Sequence, residues 1–212
     1  MKRKIFVVGG AWNYMNWMDG KRVDSLEEAD LVVFVGGEDV DPRMYNEPCH
    51  PATDCNMYRD LQERKEFQKA IKLKKHIIGI CRGSQFLCVM NGGKLVQHQE
   101  NPAFIHDIQT YDKKRLTITS THHQAQYPWS LNPNDRKIIA WTTRLSRFHE
   151  DGRQNELPLA RATECEIVYY PRTKSIAVQG HPEMMWPTDN PESEKTLAYL
   201  QNLLDKHMAD ML

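Results

Sequence analysis

The sequence predicts an α/β fold: a mostly parallel central sheet with a small antiparallel extension. Three observations predict it. Continuous apolar, β-rich runs recur at residues 4–8, 31–35 and 76–80, the pattern of strands covered on both faces. Helical periodicity occupies 60–74, before the third run, and 82–90, directly after it, as the crossovers of a parallel sheet require. Further along, β-rich runs at 166–170 and 175–179 flank Tyr170-Pro171-Arg172-Thr173-Lys174, a hairpin turn between antiparallel neighbours.

Each element has a local cause. Between the first two strands, Ser25-Leu26-Glu27-Glu28 has capping-box spacing and predicts a very short helix. Gly36, Gly37, Pro42, Pro48 and Pro51 interrupt all periodicity, so 36–58 reads as a loop. In the 60–74 helix, Phe67, Ala70, Ile71 and the stem of Lys74 share one side. Asn91-Gly92-Gly93 stops the 82–90 helix, because glycine accepts the left-handed conformation at a helix end. Residues 116–119 and 137–141 read as further strands. Asn190-Pro191 opens a final helix as cap and first residue, with Leu197, Leu200, Leu203, Leu204 and Met208 as its apolar stripe. No internal repeat or low-complexity segment interrupts residues 1–212, which are expected to form a single domain.

Composition narrows the function classes. Lys plus Arg and Asp plus Glu number 28 each, so bulk charge supports neither a nucleic-acid nor an anionic-membrane partner. No run approaches the roughly 18 apolar residues of a membrane span. The start, MKRKIFVVGG, resembles a signal peptide only superficially, since GGAWN breaks the apolar run too early. Five cysteines, Cys49, Cys55, Cys81, Cys88 and Cys165, are an odd number and predict reduced thiols in the cytoplasm. Cys49-His50 with Cys55 fits no zinc spacing. Glu38, Asp39 and Asp41 lack a convincing ligand set for a hard cation and read as loop structure, with Asp41 before Pro42 starting a turn.

The chemistry concentrates in Gly79-Ile80-Cys81-Arg82-Gly83. Gly-x-Cys-x-Gly between a strand and a helix is a nucleophile elbow, a sharp turn that presents its apex side chain. The apex sits at a helix N-terminus, where free N–H groups favour negative charge and therefore the reactive thiolate. The N–H of Arg82 points toward a developing oxyanion. Cys88, among Phe86, Leu87 and Val89, reads as core. A cysteine nucleophile needs a base and a group that orients it. His181-Pro182-Glu183 offers both, with Pro182 holding the chain extended so that imidazole and carboxylate share one rim.

Gly79 to Gln85 and His181-Pro182-Glu183, a hundred residues apart from Cys81 to His181, resemble the elbow and the His/Glu pair of class I glutamine amidotransferases. Gly36-Gly37-Glu38-Asp39-Val40-Asp41-Pro42, Tyr45, Arg59-Asp60 and Ser120-Thr121-His122-His123-Gln124 narrow the resemblance to the γ-glutamyl hydrolase branch, which includes γ-glutamyl-γ-aminobutyrate hydrolases. The resemblance implies a flavodoxin-like three-layer sandwich and a Cys81, His181, Glu183 triad. It implies that Gly37 and Arg82 supply backbone N–H groups to the oxyanion hole. Gln85 would face the glutamyl group, and the segment with Ser120, His122 and His123 would line the pocket for the glutamyl head. No cofactor or metal is implied. The partner is a small γ-glutamyl substrate; a synthetase chain and a homodimer stay open.

Departures from the pattern fall outside the triad. Gly180 replaces the usual aromatic before His-Pro-Glu, and only 22 residues separate Val8 from Leu31, so one outer layer is expected to be trimmed. Trp12-Asn13-Tyr14-Met15-Asn16-Trp17 reads as core packing, with an acceptor-side pocket or a partner surface as alternatives. The expected activity is cysteine-dependent hydrolysis of a γ-glutamyl amide through a glutamyl thioester. The competing readings are a glutaminase subunit supplying ammonia to a synthetase, a non-enzymatic binding relative, and a peptidase or chaperone-like relative sharing the elbow.

Overall fold

The computed structural model describes residues 2–100, 104–143, 146–160, 163–185 and 191–211. Its elements run β1 (Arg3–Val7), β2 (Gly20–Arg22), β3 (Leu31–Phe34), α1 (Met57–Lys72), β4 (His76–Ile80), α2 (Arg82–Met90), β5 (Lys94–Val96), β6 (His98–Gln99), β7 (Ile105–Thr110), β8 (Arg115–Thr119), β9 (Ala125–Tyr127), β10 (Lys137–Thr142), β11 (His149–Glu150), β12 (Glu164–Tyr170), β13 (Ser175–Val178) and α3 (Pro191–Met208). The main sheet has the order β2-β1-β3-β4-β13-β12-β10-β7-β8. It is parallel from β2 to β13 and antiparallel from β13 to β8.

Alternation along the central strands explains their unbroken apolar runs. Leu31, Val33, Ile78, Ile80, Ile176 and Val178 pack on one face, against Leu200, Leu203 and Leu204 of α3. Val32, Phe34, Ile77 and Ala177 pack on the other, with Phe67 of α1 and Phe86 and Leu87 of α2. Both faces are covered, so both sets must be apolar. This is the mixed α/β sandwich that the sequence predicts.

Three local expectations are corrected. The capping-box residues Ser25 to Glu28 form a hydrogen-bonded turn, not a helix: Ser25 Oγ donates to Glu27 Oε2 at 3.0 Å and the Ala29 N–H donates to the Leu26 carbonyl. Helix α1 begins three residues before Asp60, because the Asn56 side chain accepts from the Arg59 N–H and caps it. Lys74 lies beyond its end with φ 54°, so its stem does not join the helix stripe. The cap expected at Asn190 lies outside the described residues; Pro191 does open α3.

Candidate functional site

The parallel pairing of β4 with β13 positions the site. Ile80 lies opposite Val178, so the two strands leave the sheet side by side at their carboxyl ends. Cys81 follows one strand directly and His181 follows the other by three residues. Sheet register thus joins groups a hundred residues apart in sequence.

At the apex, Cys81 has φ 52° and ψ −114°, a conformation costly for a residue with a β-carbon. Backbone crowding explains the flanking glycines. A β-carbon on Gly79 would lie 2.3 Å from the Gly83 carbonyl oxygen, and one on Gly83 would lie 2.2 Å from that of Phe34. Cys81 is held from both sides: its N–H donates to the Val178 carbonyl at 2.9 Å, and its carbonyl accepts from the Ser84 N–H and hydroxyl.

The imidazole of His181 is fixed at both nitrogens. Nδ1 donates to Glu183 Oε1 at 2.7 Å, and Nε2 lies 2.9 Å from Thr121 Oγ1. Pro182 does not extend the chain as expected. Residues Pro182–Met184 form a single 3-10 turn, which folds the Glu183 carboxylate back under its own histidine. Burial works against the proton on His181, but hydrogen bonds and charge from Cys81 and Glu183 outweigh it and push the imidazole up to about 10. Cys81 and Glu183 thus both favour the protonated imidazole. Gly180 is a necessity of this packing, since a β-carbon there would stand 2.5 Å from Ile118 Cγ1.

A cavity of about 310 Å³ is lined by Cys81 and His181 together with Gly37, Gln85, His122 and His123. Gly37 has φ 130°, and a β-carbon there would meet Arg59 Nη1 at 2.3 Å. Gln85 donates through Nε2 to the Gln124 carbonyl at 2.8 Å. Burial holds His122 below the usual imidazole range. The bond to Asp39, at 3.1 Å, holds His123 above it. Ser120 does not line the cavity: it is 2% exposed, and its N–H donates to the Phe104 carbonyl. The next residue, Thr121, faces the His181 imidazole instead.

Two features of the site were not read from the sequence. Tyr14 stands 6.5 Å from the His181 ring, and burial together with the charges of Glu183 and Cys81 pushes its phenol up to about 12. Its hydroxyl fills the space that a side chain on Gly36 would need. Residues Ala11, Trp12, Met15 and Trp17 pack against the core, so the aromatic segment serves both as packing and as one wall beside the histidine. The second feature is a buried charge network. The Arg82 guanidinium, 1% exposed, pairs with Asp60 and Glu63. Glu63 also holds Arg59 Nε at 2.9 Å, and Arg59 Nη2 donates to the Gly36 carbonyl at 2.8 Å. Asp60 Oδ2 accepts from the Asp41 N–H at 2.9 Å. The network ties the Gly36-Gly37 loop to Arg82, the residue after Cys81. Only the pairing of an Arg59-Asp60 motif with the elbow hinted at it.

Other candidate groups disperse. Cys88 is fully buried, and burial raises its thiol to about 11. His50 pairs with Glu150 and Cys55 with Asp41. Among the described residues no group of three or more His, Cys, Asp or Glu is arranged to hold a metal ion, and no helix is long and apolar enough to cross a membrane.

Residues 18–128 match the model of the peptidase C26 family. Protein NtpR of Enterococcus hirae is 37% identical over 151 residues, which cover 60% of this chain and 59% of NtpR. The glutamine amidotransferase-like protein YvdE of Lactococcus lactis is 27% identical over 78% of this chain and 70% of its own length. A glutamine amidotransferase structure from Thermotoga maritima superposes with a TM-score of 0.61 over 98% of this chain and 99% of that one, at 14% identity, a likeness of fold.

Proposed function

The chain belongs to the peptidase C26 family, and on that premise we propose that it is a cysteine-dependent hydrolase of γ-glutamyl amides. One observation carries the reading: a thiol at a strained strand-to-helix apex shares a cavity with an imidazole anchored by a carboxylate. In this reading the Cys81 thiolate attacks the γ-carbonyl carbon. The carbonyl oxygen takes negative charge toward the N–H groups of Gly37 and Arg82. The C–N bond breaks as His181 donates its proton to the departing nitrogen, leaving a glutamyl thioester on Cys81. His181, now neutral, removes a proton from water, which attacks the thioester and frees glutamate and the thiolate. Glu183 holds the ring and stabilises its charged form throughout.

The test is to incubate the protein with glutamine and a panel of γ-glutamyl amides and to measure released glutamate. Release from at least one of them is the expected outcome, and none from any of them would refute the reading. The glutamine amidotransferase names of the relatives keep a second form of the same chemistry in view, in which glutamine is the substrate and ammonia passes to a synthetase. Glutamine turnover that rises when a synthetase chain is added would select it.

Glu183→Gln is expected to keep the fold and to lower kcat by about 10²-fold or more, since an amide no longer stabilises the imidazolium. Glu183 is one of the groups that raise His181, so the alkaline limb of the rate profile should also move to lower pH. Wild-type kcat and an unmoved limb would remove the orienting role.

A further inference from the structure

A second cavity, of about 510 Å³, is lined by Trp129, Arg136, Ile138, Trp141, Ala160 and Thr163. None of these residues lines the cavity at Cys81. Its volume lies in the ordinary range of small-molecule sites.

A departure from regular pairing builds its walls. Ile138 and Trp141 stand three residues apart on β10, and simple alternation would turn them to opposite faces of the sheet. Register shifts against β12 on both sides of Ala140 undo that alternation, and both side chains reach one cavity. Re-aiming a side chain in this way is what a bulge does. The segment after β9 supplies the rest. Trp129 lies in the 3-10 turn Pro128–Ser130, and Arg136 closes the turn Pro133–Asp135.

The arginine brings a charge that its surroundings do not balance. Its guanidinium carbon lies over the Trp129 ring, 4.9 Å from the centroid, a stacking that positions the cation. Nε reaches the Leu131 carbonyl only at 3.5 Å, long for such a bond. The neighbouring carboxylate, Asp135, faces Arg172 at 3.9 Å instead. Among the described residues no carboxylate and no second cation line the cavity. Cys88, Cys165 and Tyr170 feel the charge of Arg136, but burial holds all three neutral, so none offsets it.

We infer that this cavity binds a small aromatic monocarboxylate, its flat ring against Trp141 and Ile138 and its carboxylate on the outer nitrogens of Arg136. The wall selects that class. Trp129 and Trp141 are both partly exposed, and indole surface favours a planar partner. One guanidinium matches one carboxylate in fork geometry, whereas a polyphosphate would bring several charges to a single cation. The site does not depend on the hydrolase reading and stands or falls without it.

Calorimetric titration with 2-naphthoate, 2-naphthamide and octanoate separates the two contributions. Naphthoate should bind at least about tenfold more tightly than naphthamide, which keeps the rings and lacks the charge. It should also bind more tightly than octanoate, which keeps the charge and lacks the rings. No naphthoate binding at millimolar concentration, or either control bound equally well, would overturn the inference. Binding should persist after iodoacetamide has alkylated Cys81; its loss would place the acid in the other cavity and overturn the inference as well. Arg136→Gln, checked for folding by circular dichroism, should bring naphthoate down to the affinity of naphthamide. Trp141→Leu should weaken both ring compounds by about tenfold and change octanoate little. Wild-type affinity for naphthoate in either folded variant would refute the assignment. If both variants misfold, the three compounds on the wild-type chain, before and after alkylation, still decide it.

Discussion

Cys81→Ala will release glutamate at a rate lower by on the order of 10⁴-fold or more, because no other group in the cavity can form the thioester. The fold should survive. The thiol is small and lies at the head of a helix whose first turn is held by backbone bonds to the Cys81 carbonyl, from Ser84 and Gln85, and these do not involve sulfur. A second substitution sharpens the test. Backbone strain at φ 52°, ψ −114° costs any residue with a β-carbon on the order of 1–3 kcal/mol, while glycine escapes it. Glycine loses more freedom on folding, by roughly 0.5–1 kcal/mol. Cys81→Gly should therefore be as inactive as Cys81→Ala and yet at least as stable as wild type by chemical denaturation. A residue placed for chemistry at the expense of stability gives that pairing. Glutamate release at the wild-type rate in either variant would end the assignment of Cys81 as nucleophile. A glycine variant clearly less stable than wild type would show that the apex is not strained.

The elbow and its surroundings were legible because their causes are local. The bounds of β4 and α2 follow from an apolar run, two glycines and the Asn-Gly-Gly stop, and the structure reproduces both. The short strands β5, β6, β9 and β11 were not legible. They bury Gln97, Gln99, Gln126 and His149 among or beside them, so no hydrophobic pattern marks them. Strand β7 hid for a related reason: it alternates exposed and buried positions, but His106 and Thr110 occupy two of the buried ones. His106 is satisfied there by Glu166 at 2.9 Å, a partner 60 residues away. The capping-box spacing at Ser25 failed because a helix also needs an apolar face long enough to pack, and Asp30 lies just before β3. Within the site, Cys81, His181 and Glu183 could be named from motifs. Thr121, Tyr14 and the Asp60-Glu63-Arg82 network could not, since each acts through contacts that only sheet order creates. Ser120, expected to line the substrate pocket, is buried behind it, and its neighbour Thr121 lines the cavity instead.

Arg82→Met should lower stability by about 3–5 kcal/mol, because it leaves two carboxylates buried without their cation. Asp60 is 0% exposed and Glu63 4%, so neither can turn to water without opening the packing of α1 against α2. For a chain of this length the loss corresponds to a fall in melting temperature of roughly 10 °C. Arg82→Lys should recover little, since a single ammonium cannot span two carboxylates as the guanidinium fork does. The rate carries the further consequence. Asp60 holds the Asp41 N–H, and Glu63 holds the Arg59 that grips the Gly36 carbonyl. Releasing these carboxylates from Arg82 loosens the loop that carries the Gly37 N–H. One misplaced oxyanion donor costs about 10²–10³ in kcat. Measured well below its melting temperature, folded Arg82→Met should therefore show a reduced kcat on its best γ-glutamyl amide, with KM changed much less. A variant that melts early but turns over at the wild-type kcat when cold would show that the network supports the fold alone. Loss of kcat at an unchanged melting temperature would show that the buried carboxylates do not need the arginine. The expected pairing of both losses follows only if one guanidinium joins the floor of the cavity to the loop above it.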